Sequence, residues 1–192
     1  MMREEVLYTA LISHLNTHPG HTLYGLFDGV KYPTLWSDLE ESVLAYDMLF
    51  HEERLRADLQ SVAPYFVALD FEDKRAKEQS LALLECYGKN GSLFLSSRFD
   101  IDKTLEQMRE LFYIYTHSGE KGYMRFYEPK IFRRYIAQKN DTIRYALFNH
   151  VTCYWCEDTQ DPSIVHQYLK KGAFTYEERS ISLKPKEPKA DV

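Results

Sequence analysis

Leu23-Tyr24-Gly25-Leu26-Phe27-Asp28-Gly29 decides how this chain is to be read. Apolar side chains fill both alternations of the run, the pattern of a strand buried on two faces and central in its sheet. Asp28-Gly29 is a turn pair, so the buried strand delivers a carboxylate to the rim of the sheet. Met124-Arg125-Phe126-Tyr127-Glu128-Pro129 repeats the device much later in the chain, with proline as the turning residue. An arginine inside an apolar strand must find a partner or reach the surface. Arg125 is therefore expected to form a structural ion pair with Asp28 or Glu128. As a general acid and base the two carboxylates are less convincing, because Asp28 has a turn role and Glu128 stands where a helix dipole favours it.

Around these runs strands and helices alternate. Val6, Leu7, Ala10, Leu11, His14 and Leu15 fall at helical spacing over residues 2–16, and Thr17-His18-Pro19-Gly20 stops that helix. Pro33 opens a short helix bearing Leu35, Trp36 and Leu39. Strands are expected at Ala45–Phe50, Tyr65–Leu69 and Ser92–Ser96, with helices at His51–Val62 and Ala76–Cys86 between them. Asp100 or Asp102 caps a helix through Leu111. Phe112–Tyr115 and Tyr123–Tyr127 form an aromatic hairpin, and Pro129 starts the next helix. A helix at Thr142–Asn149 leads to a strand at Val151–Cys156. A final helix after Asp161-Pro162 carries Ile164, Val165, Tyr168 and Leu169. The run from Lys184 onward has nothing to bury and reads as a disordered tail. The fold class is α/β: a mixed β-sheet with helices on both faces, followed by a short, mainly helical C-terminal portion.

The chain's 192 residues carry a net charge of -5, and 44% are apolar. That is enough for one substantial core, and an acidic balance argues against a nucleic-acid partner. No apolar stretch is long enough to cross a bilayer, and the N-terminus lacks the succession of a secretory signal, so no membrane insertion and a cytoplasmic location are expected. The 3 cysteines make no disulfide framework. Aromatics are the outlier, with 15 Tyr and 11 Phe, which suits protein interfaces as well as core edges.

Chemistry-bearing motifs are sparse. Cys153 and Cys156, with His150 and His166 nearby in sequence, invite a zinc reading, but in a strand residues so spaced point to opposite faces. A redox dithiol needs a helix N-terminus, which this run lacks. His18 and His21 read as an exposed loop. No nucleophile elbow, phosphate loop or metalloprotease helix occurs. The expectation is a protein without catalytic residues, metal or cofactor.

Taken in order, Leu23 to Gly29, Leu49-Phe50, Ala63 to Leu69, Gly91 to Ser97 and Arg125 to Pro129 resemble the effector adaptors and chaperones of bacterial type VI secretion, whose shared domain is known as one of unknown function. The resemblance runs from about Leu23 to Ile136. It departs at Glu128, where the family has aspartate, and at Tyr87-Gly88, where it often has Trp-Gly.

The resemblance implies a cytoplasmic, non-enzymatic adaptor that holds a secreted effector and helps load it onto the spike tip protein. It also implies an α/β adaptor domain over 1–139, a small variable C-terminal lobe over 140–183 that selects cargo, and the tail at 184–192. Candidate protein-binding residues are Tyr113, Tyr115, Tyr123 and Tyr127 of the hairpin, and Tyr168, Leu169, Phe174 and Tyr176 near the C-terminus. An immunity protein that neutralises a toxin, or a small hydrolase using Asp28, Glu128 and a histidine, stay open as alternatives.

Overall fold

The structure, a computed structural model, describes residues 3–184 apart from 116 and 139. The tail expected from Lys184 thus lies, past its first residue, outside the described residues.

The elements in chain order are α1 (Arg3–Thr17), β1 (Thr22–Asp28), α2 (Leu35–Glu40), β2 (Tyr46–Met48), α3 (Glu53–Leu59), β3 (Pro64–Leu69), α4 (Lys74–Leu84), β4 (Ser92–Ser97) and α5 (Ile101–Phe112). There follow β5 (Tyr113–Tyr115), β6 (Lys121–Tyr123), α6 (Pro129–Ile136), α7 (Asp141–Phe148), β7 (Val151–Glu157), β8 (Ile164–Lys170) and β9 (Tyr176–Ser182). The class is mixed α/β, with a 7-stranded sheet in the order β2-β3-β1-β4-β7-β8-β9 and β5-β6 as a separate hairpin.

Every pairing in the large sheet is antiparallel, which corrects the expected mixed sheet. Alternating strands and helices usually announce parallel crossovers. Here β3 and β4 do run parallel on either side of α4, but β1 lies between them and opposes both. In the same way β3 separates β1 from β2. The local signature of a crossover is present, and the third strand inserted into each one makes the sheet antiparallel.

The central strand behaves as its sequence demands. All of β1 after Thr22 is buried. A Cβ on Gly25 would lie 2.3 Å from the ring of Phe27, so the missing side chain is the space the ring occupies. Phe27 in turn meets Phe94 of β4 edge-on at 5.8 Å. At Gly29 a Cβ would lie 2.6 Å from the carbonyl oxygen of Ala63, the same oxygen that accepts the Gly29 N–H at 3.0 Å. Glycine there permits backbone to touch backbone at the end of the β1–β3 ladder.

Helix starts follow the capping rules. Asp73, Asp100 and Asn140 each accept an N–H from the first turn of α4, α5 and α7, so Asp100 rather than Asp102 is the cap. Pro129 occupies the first turn of α6. Within β7, Tyr154 packs on Phe132 of α6 and Phe148 of α7, while its neighbour Trp155 meets His14 of α1 at 4.8 Å.

The C-terminal portion differs from expectation. Ile164–Lys170 is a strand rather than a helix, and Tyr176–Ser182 adds another. Residues 140–183 therefore contain one helix and three strands, and the strands continue the sheet that begins with β1. Apolar residues at Ile164, Val165, Tyr168 and Leu169 suit either period over so short a run. What selects the strand is hydrogen bonding to β7 on one side and β9 on the other. β9 went unread because Glu177, Glu178 and Arg179 look like a solvated loop; on an edge strand such charges discourage pairing with another chain.

Candidate functional site

Two features were expected to matter, the charged rim and the aromatic hairpin. At the rim, β1 ends on Asp28, which is buried, while Arg125 is 43% exposed at its side chain. Arg125 lies outside any strand, a correction to the expected Tyr123–Tyr127 strand. The Phe126 N–H bonds the Met124 carbonyl at 2.8 Å and the Glu128 N–H bonds the Arg125 carbonyl at 3.0 Å, so the chain turns before Pro129. The turn aims the guanidinium at both carboxylates. Nη2 lies 2.5 Å from Asp28 Oδ2 and Nε lies 2.7 Å from Glu128 Oε1.

Asp28 Oδ1 accepts the Val30 N–H at 3.1 Å, closing the turn after β1. The Tyr127 hydroxyl stands 3.3 Å from Arg125 Nε, and burial pushes its pKa up to about 12 so that it stays protonated. One arginine thus engages both carboxylates, and among the described residues no histidine bonds either. The arrangement is a clamp between the end of β1 and the start of α6. Arg125→Ala strips a buried carboxylate of its charge partner, whereas the arginine itself is partly solvated. We expect a loss of about 1–3 kcal/mol, short of that for a fully buried pair, read as a lower melting temperature. An unchanged melting temperature with lost partner binding would move Arg125 to an interface.

The hairpin β5-β6 is tied down at both ends of its ladder, through Tyr113 paired with Tyr123 and through Lys121 opposite Tyr115. Tyr113 accepts the His51 N–H at 2.8 Å and donates to Glu52 at 2.7 Å, and its ring stacks on His51. Lys121 pairs with Glu52 and stands 3.7 Å from the centre of the Tyr113 ring. Tyr123 stacks on Phe112 at 5.1 Å and meets Phe50 edge-on. Anchored on one side, Tyr123 is still 42% exposed, and Ile114 and Tyr115 are 44% and 68% exposed.

The other candidate binding residues are dispersed. Tyr127 and Tyr168 are buried, and Leu169 and Tyr176 are half-buried against the core. Tyr176 stacks on Phe148 and donates to the Ile136 carbonyl at 3.2 Å. Phe174 is exposed and pairs with exposed Tyr145 at 6.1 Å. Tyr145 had no sequence signal, since an aromatic on the polar side of a short helix reads as chance.

Cys153 and Cys156 are buried in β7, and burial pushes both thiols well above the ordinary range. His166 bonds Asp158 at 2.8 Å and His150 meets the Lys103 carbonyl at 3.2 Å, so neither histidine turns to the cysteines. Among the described residues, no group of three or more His, Cys, Asp and Glu side chains is placed to hold a metal ion.

His18 and His21, expected in an open loop, join His14 in a cluster. His14 and His18 stack at 4.0 Å, and His14 meets Ser96 Oγ at 2.8 Å. Burial, then the neighbouring His18 and His21, lowers the His14 pKa to about 4. Sequence reasoning also missed Asp47, which Arg56 and Arg109 bond at 2.5 and 2.9 Å, tying β2 to α3 and α5. No spacing announces partners drawn from two other elements so far apart in the chain.

The sequence profile of the Domain of unknown function (DUF4123) matches residues 23–144, more than half of the chain, and the protein belongs to that family. No curated protein and no solved structure matches the chain. Among the described residues, no helix is long and apolar enough to cross a membrane.

Proposed function

We propose that the protein is a cytoplasmic, non-enzymatic adaptor that binds a type VI secretion effector and helps load it onto the spike tip protein. The observation that carries this reading is the hairpin, which is pinned by the contacts of Tyr113 and Lys121 with Glu52 while Ile114 and Tyr115 stay exposed to solvent. Rigid aromatic and aliphatic side chains presented with little freedom left to lose are what an interface hot spot requires. The sequence resemblance supplies the class of partner. The clamp of Asp28, Arg125 and Glu128 supports a structural role for the charged rim, since its carboxylates are engaged by an arginine rather than poised against a histidine.

The test is capture of the cognate effector and spike tip protein by the full chain and by an Ile114→Glu, Tyr115→Glu variant. Both positions are exposed, so the variant should fold, and binding should weaken by about tenfold or more. Undiminished binding by the folded variant would remove the hairpin from the interface. An adaptor leaves the effector's toxic activity intact in the complex, whereas abolished activity would favour an immunity protein.

A further inference from the structure

The sheet has a second charged end that the proposed function does not use. The start of β1, the end of β4, the start of β7 and the end of β8 come together, with Thr22 opposite Ser97 and Ser97 opposite Val151. A cleft of about 280 Å³ opens there, lined by His21, Arg98, Phe99, His150, Thr152 and Lys170 with two neighbouring residues. No aspartate or glutamate is among its lining residues, in a chain where acidic residues outnumber basic ones 29 to 24.

Lys170 is held in place and Arg98 is exposed at the mouth, and neither is neutralised by an ion pair among the described residues. Lys170 donates to the Phe148 carbonyl at 2.6 Å, and Arg98 forms no ion pair among the described residues, its guanidinium lying 5.3 Å from the Phe99 ring centre. The cleft wall is rigid. Ser97 Oγ donates to the His150 carbonyl at 2.6 Å, the His150 N–H bonds Gln107 at 2.7 Å, and His21 Nε2 meets Thr152 Oγ1 at 2.9 Å. The His150 ring packs 4.6 Å from Phe99.

From this juxtaposition we propose that the cleft binds a phosphate group, with Arg98 and Lys170 as the permanent charges and His150 at the rim. Two cations with no carboxylate lining the cleft between them suit a compact dianion, which guanidinium and ammonium donors bind through charge-assisted hydrogen bonds. Consistent with an uncompensated positive field, burial and then Arg98 hold the Lys170 ammonium below the usual lysine range. The cleft is roomier than one phosphate needs, and Phe99 lies in its wall, so the group is either free or carried on an organic molecule.

Backbone amide shifts of the full chain, followed by NMR during titration, test the proposal. Inorganic phosphate and phenyl phosphate are the probes, against sodium chloride at matched ionic strength. Saturable shifts confined to the segments around His21, Arg98, His150 and Lys170 are expected, weakened by about tenfold or more in Arg98→Gln. Lys170→Gln, which keeps a donor for the Phe148 carbonyl, should weaken them as well. Tighter binding of phenyl phosphate would assign the site to a carried phosphate, and equal binding to the free ion. Shifts no larger than those in chloride, or shifts that persist unchanged in folded Arg98→Gln, would overturn the proposal; the latter would mean an adventitious ion only. The site does not depend on the adaptor reading, so failure here leaves that reading untouched.

Discussion

Phe27→Ala should destabilise the protein by about 3–5 kcal/mol and Gly25→Ala by about 1–3 kcal/mol, and the double variant should lose distinctly less than the sum. Phe27 is fully buried, so truncating its ring removes contacts with Phe94 and Tyr32 and leaves a cavity. A methyl on Gly25 fails for the opposite reason. It would need to stand 2.3 Å from the edge of a ring that is already packed against Tyr32 and Phe94. Remove the ring first and the methyl becomes filler for the cavity. Urea unfolding of the two single variants and the double measures the coupling, with an unchanged slope on denaturant concentration confirming that midpoints report stability. Strict additivity would mean that the ring relaxes around a methyl, and that Gly25 serves some purpose other than room for Phe27.

Tyr168→Ala is expected to cost about 3 kcal/mol or more, while Phe174→Ala changes stability by no more than about 0.5 kcal/mol. The two residues were candidates for the same binding surface, and the structure separates them. Tyr168 is 2% exposed in β8, with Phe132 at 5.6 Å and Tyr176 at 5.7 Å from its ring, whereas Phe174 is 47% exposed. Thermal or urea melts of the two variants distinguish a core strand from an exposed docking helix. If Tyr168→Ala melts like the parent yet loses a partner, the strand register of β8 is wrong in solution. With Tyr168 in the core, any cargo contact at this end of the molecule falls to Phe174 and Tyr145, which meet at the surface.

The proposed interface and the clamp were legible to different degrees. That Arg125 pairs with a carboxylate, Asp28 or Glu128, followed from the cost of leaving a charge alone in an apolar run, a rule that needs no knowledge of topology; that it engages both is seen only in the structure. That Arg125 sits in a turn was not legible, because Met124, Phe126 and Tyr127 have the same apolar pattern in a turn packed on the core as in a strand. Likewise the hairpin tyrosines could be named but not sorted. Tyr123 and Tyr115 have similar sequence surroundings, and only the neighbours Phe112 and Phe50 decide that one is anchored and the other projects.

Sequence alone determined the features written in contiguous residues: the doubly buried β1, the Asp28-Gly29 turn, an aspartate cap at Asp100 or Asp102, the helix start at Pro129, and the placement of Cys153 and Cys156 on opposite sides of a strand. Each depends on periodicity or dihedral preference over a few residues, which the chain carries wherever it folds. Tertiary structure alone decided the antiparallel sheet, the strand at Ile164–Lys170, the charged edge at Tyr176–Ser182, the bond of Asp47 to Arg56 and Arg109, and the basic cleft at Arg98 and Lys170. These depend on which distant segment lies alongside, and a strand completes its hydrogen bonds only with a partner that its own sequence does not name.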